Sequence, residues 1–222
     1  MNEIMFNFPD ISNYNLDSPG SIALYNAHID FFSIHGLIES TKKSIDDIRR
    51  QFTLRAIIAN DYGDCYTHQL ATNNIILYNS RIVPLAYTSI LLIIISALEE
   101  SFNCLCNSYY IANNYSIQFT DLHGQGLERA INYLEKVVGI NDIRKEKQWE
   151  LIKTARDVRN AIAHNGGRIK DKNIKKFEKF NFYIAEENRQ IYIEYDTLIN
   201  LYNEILNFID KVFSKTPAKN SI

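Results

Sequence analysis

From Ile22 onward, apolar or aromatic side chains return at helical spacing: Leu24, Tyr25, His28, Phe31 and Phe32, then Ile38, Ile45, Ile48, Phe52 and Leu54. The rhythm is interrupted near His35 and Gly36, so the stretch reads as one long helix or as two consecutive ones. Residues 60–80, with Asp61-Tyr-Gly and Asn73-Asn74, read as a loop or a short irregular piece. A long core helix follows from about Ser80 to Tyr110, with Pro84 tolerated in its first turn, where a missing N–H costs nothing.

Asn113 to Gly126 is rich in Asn, Ser, Asp and Gly and connects to a helix whose stripe is Leu127, Ala130, Ile131, Leu134, Val137 and Val138. Gly139 stands at its C-terminal capping position. Another helix runs from about Glu146 to His164, with Trp149, Ile152, Ala155, Val158 and Ile162 on one side, and Gly166-Gly167 stops it. Between 180 and 195 the period changes: Phe182 and Ile184, then Ile191, Ile193 and Tyr195, alternate with other residues across a polar Glu-Glu-Asn-Arg tip, the pattern of a small β-hairpin. Asp196 is placed to cap a last amphipathic helix carrying Leu198, Leu201, Ile205, Leu206, Ile209 and Phe213, and the tail after it reads as frayed. The expected fold is mainly α, an antiparallel helical bundle over 80–222 that includes the hairpin near 180–195. A helical extension, 1–79, packs on the bundle, and the whole is one cooperative domain.

The composition, 46% hydrophobic and 23% charged over 222 residues with 8 Gly and 4 Pro, excludes a disordered, collagenous or disulfide-scaffold chain. Three cysteines, Cys65, Cys104 and Cys106, and an N-terminus without a basic-then-apolar leader point to a reducing, cytoplasmic compartment. Ile82 to Leu98 is only about as long as the shortest membrane span and contains Pro84, Tyr87, Thr88, Ser89 and Ser96, so it reads as a buried core helix, with no membrane partner. The net charge of -2 leaves any anionic partner to be met by a local patch. One exists: 141–180 carries twelve Lys/Arg against six Asp/Glu, hence +6 against -8 for the remainder.

Within that segment lies Arg159-Asn160-Ala161-Ile162-Ala163-His164, at the end of an amphipathic helix. On an ideal helix Asn160 and His164 are about 40° apart and share a face, whereas Arg159 and His164 are about 140° apart and about 7.5 Å along the axis. The long arginine arm, or a loosened last turn before Gly166, must close that gap. The bland alternatives are a surface salt bridge for Arg159, a dipole-favoured helix-end histidine for His164 and a solvated amide for Asn160. The hexapeptide, with SALEESFNCL on an earlier helix and DLHGQGLERAINYL before the motif helix, resembles the HEPN superfamily of helical bundles, whose ribonuclease members carry Arg, a polar residue and a short run ending in His. The resemblance covers about residues 80 to 215. Some HEPN toxins have a tyrosine two residues after the histidine, which a partner nucleotidyltransferase modifies; Gly166 stands there in this chain, so that mode of silencing has no acceptor.

The resemblance implies metal-independent RNA cleavage, with Arg159, Asn160 and His164 as catalytic residues. These residue types suit the reaction. An imidazole titrates close to neutrality and can take or give a proton, and a guanidinium grips two phosphate oxygens without losing its charge. One chain supplies one such histidine, so a homodimer with the motif helix at a two-fold interface supplies both an acid and a base. Glu99 and Arg156 are candidate supporting residues, Glu99 pairing with Arg156 or Arg159. Arg168, Lys170, Lys172, Lys175 and Lys176 are the expected RNA contacts, although the Lys-rich run reads equally as a solvated helix. Asp121-Leu-His123-Gly124-Gln-Gly126 reads as a capping loop rather than a phosphate cradle. Cys65 with His68, and Cys104 with Cys106, lack complementary ligand pairs, so no metal or other cofactor is expected. The leading expectation is a HEPN-type RNA endonuclease acting as a toxin or antiviral-defence effector, restrained by an antitoxin or another defence-system subunit. The alternative is a non-catalytic helical module for dimerisation, nucleotide binding or RNA binding.

Overall fold

The computed structural model describes residues 9–14, 18–170, 173–185 and 187–215. It is mainly α with one small antiparallel hairpin, in the order α1 (Pro19–Asp61), α2 (Cys65–Leu77), α3 (Val83–Ala112), α4 (Gly126–Tyr133), α5 (Trp149–Asn165), α6 (Ile174–Glu178), β1 (Tyr183–Ile184), β2 (Ile191–Tyr192) and α7 (Tyr195–Ser214). α1 is a single helix of 43 residues. Gly36 does not break it: the roughly 1 kcal/mol helical penalty of one glycine is outweighed by Phe31, Ile34, Ile38 and Ile45, all buried at spacings of three, four and seven.

The 60–80 stretch is not the loop expected of it. Gly63, at φ +71°, turns the chain after α1, and the Asp64 carboxylate accepts from the Thr67 N–H at 3.0 Å, capping α2. The helix then runs on into α3 through a widened π turn, Tyr78–Ile82, closed by the Val83 N–H on the Tyr78 carbonyl. Pro84 falls immediately after this turn. It has no N–H for Ser80, and the widened turn absorbs the mismatch. The continuous run Cys65–Ala112 is long and apolar enough to cross a membrane by length and composition, its most apolar 18-residue window having a mean hydropathy of 2.0 and being 39% buried. In this fold, however, its Leu91, Ile94, Ile95 and Leu98 are fully buried.

Two compact units share the chain. The first takes residues up to Ile34, Ile93–Asp157 and from Asn200 onward; the second takes His35–Leu92 and Val158–Ile199. The first has an aromatic centre. Phe102 stacks on Phe208 with ring centroids 5.6 Å apart, meets Phe213 edge-on at 5.4 Å, and Phe208 stacks on Trp149 at 6.1 Å. α4 passes through a π turn, Leu134–Val138, and ends at Gly139, φ +87°, whose N–H bonds the Leu134 carbonyl, as its capping position predicts.

In the second unit the hairpin pairs Tyr183 with Tyr192 and Ile184 with Ile191, burying Phe182, Ile184, Ile191 and Ile193 in the alternation read from the sequence. Its Glu186 tip residue lies outside the described residues. Asp196 does not cap α7; the helix begins at Tyr195, leaving Asp196 in the first turn, where its charge still favours the dipole. The Tyr195 hydroxyl donates to Glu39 at 2.5 Å, and this bond to a carboxylate pushes the phenol up to about 12.

Candidate functional site

α5 carries the motif, and its burial pattern explains the motif's exposure. Trp149, Ile152, Ala155 and Val158 are buried together with Leu151 and Thr154, Ile162 is half-buried, and Glu150, Asp157 and Asn160 are exposed. Arg159 is half-buried, while Asn160 and His164 are exposed. The helix is regular through Asn165, then Gly166 and Gly167 take φ of +59° and +80°, and the Gly167 N–H returns to the Ala161 carbonyl at 3.0 Å. The bond spans six residues, one more than the six-to-one closure of a glycine-stopped helix, and two successive left-handed glycines make the turn. The last turn before Gly166 is therefore not loosened, and only the arginine arm can bridge toward His164.

That arm is held at its tip. The Arg159 guanidinium donates through Nη1 to the Asn160 side-chain oxygen at 3.0 Å, so these two site residues are brought together directly. His164 stands one turn further on, its imidazole turned to solvent. Beside this helix end is a groove of about 400 Å³ lined by Arg81, Thr88, Ile162, Gly166, Gln190 and Tyr192, among others. Gln190 donates from Nε2 to the Gly166 carbonyl at 2.9 Å and fills the space that a Cβ on Gly167 would need. The sequence reading did not single out Arg81, Gln190 or Tyr192. They come from distant segments, and no local spacing ties them to the motif.

Glu99 pairs with Arg156, Oε1 to Nε at 3.5 Å, and both side chains are mostly buried. Glu128 approaches Arg156 at 3.6 Å and Arg144 at 3.1 Å, and Arg144 also donates to Glu135. Both supporting candidates thus belong to an ion-pair cluster of the first unit, whereas Arg159, Asn160 and His164 belong to the second. Glu99 also explains the glycine-rich loop. Its Oε1 lies 2.8 Å from where a Cβ on Gly126 would stand, so the anion beside the first residue of α4 is the chain's own carboxylate. Gly126, at φ +52°, is required there. We expect Gly126→Ala to lower unfolding free energy by about 1–2 kcal/mol, from the left-handed backbone alone, with the displaced carboxylate adding to it. Urea denaturation checks this; an unchanged midpoint would contradict it.

The basic segment is smaller in space than in sequence. Arg144, Lys145, Lys147, Lys153 and Arg156 are each paired with a carboxylate within 4 Å, all in the first unit. In the second unit Arg168, Lys170 and Lys175 are exposed and Lys176 is half-exposed; α6 buries Phe177 beneath them. Arg168 pairs with Gln190 as an isolated bridge beside the hairpin. Lys172 lies outside the described residues. No group of three or more His, Cys, Asp or Glu side chains gathers into metal-binding geometry among the described residues. No protein-family model, no curated protein and no solved structure matches the chain.

Proposed function

We propose that the chain is a metal-independent RNA endonuclease of the HEPN type, a toxin or defence effector, whose site is completed by a second copy. The observation that carries this reading is the Arg159–Asn160 hydrogen bond on a regular helix whose next turn presents an exposed His164. In the reaction, one imidazole takes the proton of a ribose 2'-hydroxyl as that oxygen attacks the adjacent phosphorus. The bond from phosphorus to the 5'-oxygen then breaks, and a second imidazole donates the proton to that leaving oxygen. Arg159 neutralises the charge gathering on the non-bridging oxygens, and Asn160 holds its guanidinium at the angle needed. The two histidines come from two copies, since each chain supplies one His164. Cytoplasmic RNA is the substrate class, and an antitoxin or companion subunit is the restraint. The test is cleavage of total RNA by the purified protein in excess chelator, beside the His164→Ala variant.

The cations that follow the motif predict how RNA is held. Replacing Arg168, Lys170, Lys175 and Lys176 by Gln should weaken binding on all sequences alike, because such contacts go to phosphate. Each lost phosphate contact should reduce the slope of log affinity against log salt by about 0.7. Fluorescence anisotropy over a salt series reads this directly. An unchanged slope would mean that these cations are only a solvated surface.

A further inference from the structure

The segment that follows α5 pairs with β2. The Ile169 N–H donates to the Arg189 carbonyl at 3.1 Å and the Ile191 N–H to the Gly167 carbonyl at 3.0 Å, which sets Arg168 opposite Gln190. Residues directly opposite one another, and those two further along, share a face of such a ladder. One face therefore carries Ile169, Ile184, Ile191 and Ile193, all buried, and the other carries Arg168, Gln190, Tyr192 and Tyr183. Gln190 and Tyr192 of this outward face form one wall of the groove of about 400 Å³. Its other walls are the end of α5, with Ile162 and Gly166, and the π turn and first turns of α3, with Arg81, Leu85 and Thr88. The whole groove belongs to the second unit.

We infer that this groove reads one nucleobase of a single-stranded RNA, flat against the Tyr192 ring and edge-on to the Gln190 amide, with the adjoining phosphates on Arg81 and Arg168. The ring is braced by Tyr183, centroids 6.2 Å apart, and supplies the stacking surface. Leu85 lines the groove and is 64% exposed, an apolar wall turned to solvent. Gln190 gives one Nε2 hydrogen to the Gly166 carbonyl at 2.9 Å, which fixes the end of the amide that donates and leaves Oε1 and the second hydrogen for a ligand edge. For a strand anchored at Arg81, that fixed order of acceptor and donor matches one base and mismatches the others. Arg81 stands in a π turn, a device found mostly at functional sites, and neither its guanidinium nor the Thr88 hydroxyl has a hydrogen-bond or ion-pair partner among the described residues. On α5, Ile162 lies about 60° from Arg159 and about 160° from His164, so the groove is on the arginine side of the helix. The base it holds is thus a neighbour of the reacting nucleotide and sets where the strand is cut. Glu178, Glu187 and Glu194 line a separate groove on the far side of the tyrosine pair and repel phosphate there, which confines the strand to the Arg81 side. A base reaches the groove only when splayed out of a helix, so duplex RNA does not fit.

The choice of ligand rests on the endonuclease reading, and the test keeps the two apart. Octamers of 2'-O-methyl A, C, G or U cannot be cut, because the attacking hydroxyl is blocked, so fluorescence anisotropy with the full chain reads binding alone. One of the four should bind about 5- to 150-fold more tightly than the others, the discrimination of a two-point edge contact. Gln190→Leu should bring the four to one affinity. Tyr192→Ala should weaken all four at least about fivefold, whereas Tyr192→Phe keeps the ring and the affinity. Arg81→Gln, at an exposed position that leaves the fold alone, should weaken all four alike and lower the slope of log affinity against log salt by about 0.7. Equal affinities for the wild type overturn the inference, as does a preference that survives Gln190→Leu or a salt slope indifferent to Arg81→Gln. Competition by duplex RNA as effective as by the single strand also overturns it. So does a nucleoside 5'-monophosphate that binds as tightly as the preferred octamer, which would make the groove a mononucleotide site. A base preference in a protein that leaves total RNA intact would remove the endonuclease and keep the base reader; RNA cut without any base preference would do the reverse.

Discussion

His164→Ala should remove RNA cleavage while leaving the melting curve in place, since the imidazole is exposed and α5 is stopped by Gly166 and Gly167 rather than by the side chain. Losing a positioned proton donor or acceptor lowers the rate by about 10² to 10⁴-fold. Arg159→Ala should fall in the same range, and the double variant should be little worse than either alone, because both disable one step. The products should end in a 2',3'-cyclic phosphate and begin with a 5'-hydroxyl, because the nucleophile belongs to the substrate. Chelator should change nothing. Single-turnover assays on an end-labelled RNA read all of this, and a His164→Ala variant that cuts at the wild-type rate would remove the catalytic reading and leave a binding module.

Phe102→Ala should be the most destabilising single change of those considered. The ring is fully buried and touches two further buried rings, so its removal takes away transfer free energy and leaves a cavity that Phe208 and Phe213 fill only in part. The expected loss is about 3–5 kcal/mol, a large share of the ~5–15 kcal/mol that holds a domain folded. Urea unfolding should show a midpoint shift at nearly constant slope, and Phe102→Leu should lose less. A change below about 1 kcal/mol would mean that the three-ring cluster is not the centre of the first unit.

The elements that were legible in the sequence are those whose burial is one-sided. α4 and α7 carry unbroken apolar stripes, the hairpin alternates over Phe182, Ile184, Ile191 and Ile193, and Gly139 and Gly166 mark helix ends with positive φ. α2 was not legible, for a physical reason. CYTHQLATNNIIL buries only Ala71, bears no charge and holds two asparagines, so its apolar residues trace no stripe. The signal lay outside the helix, in Gly63 as turn and Asp64 as cap. The Arg159–Asn160–His164 spacing was legible because it is local to one helix. Counting charges along 141–180 overstated the basic surface, since the carboxylates that pair Arg144 and Arg156 come from Glu99, Glu128 and Glu135, outside the counted stretch.

The stack of Trp149 on Phe208 makes the chain its own optical probe. Trp149 is the single tryptophan, it is 4% exposed, and it belongs to the first unit. Red-edge excitation therefore reports the solvation of that unit alone, while far-ultraviolet ellipticity averages over every helix. Superimposed traces from the two signals during denaturation would mean a single all-or-none transition. Traces that separate would give each unit a melting point of its own, without a label or an added chromophore.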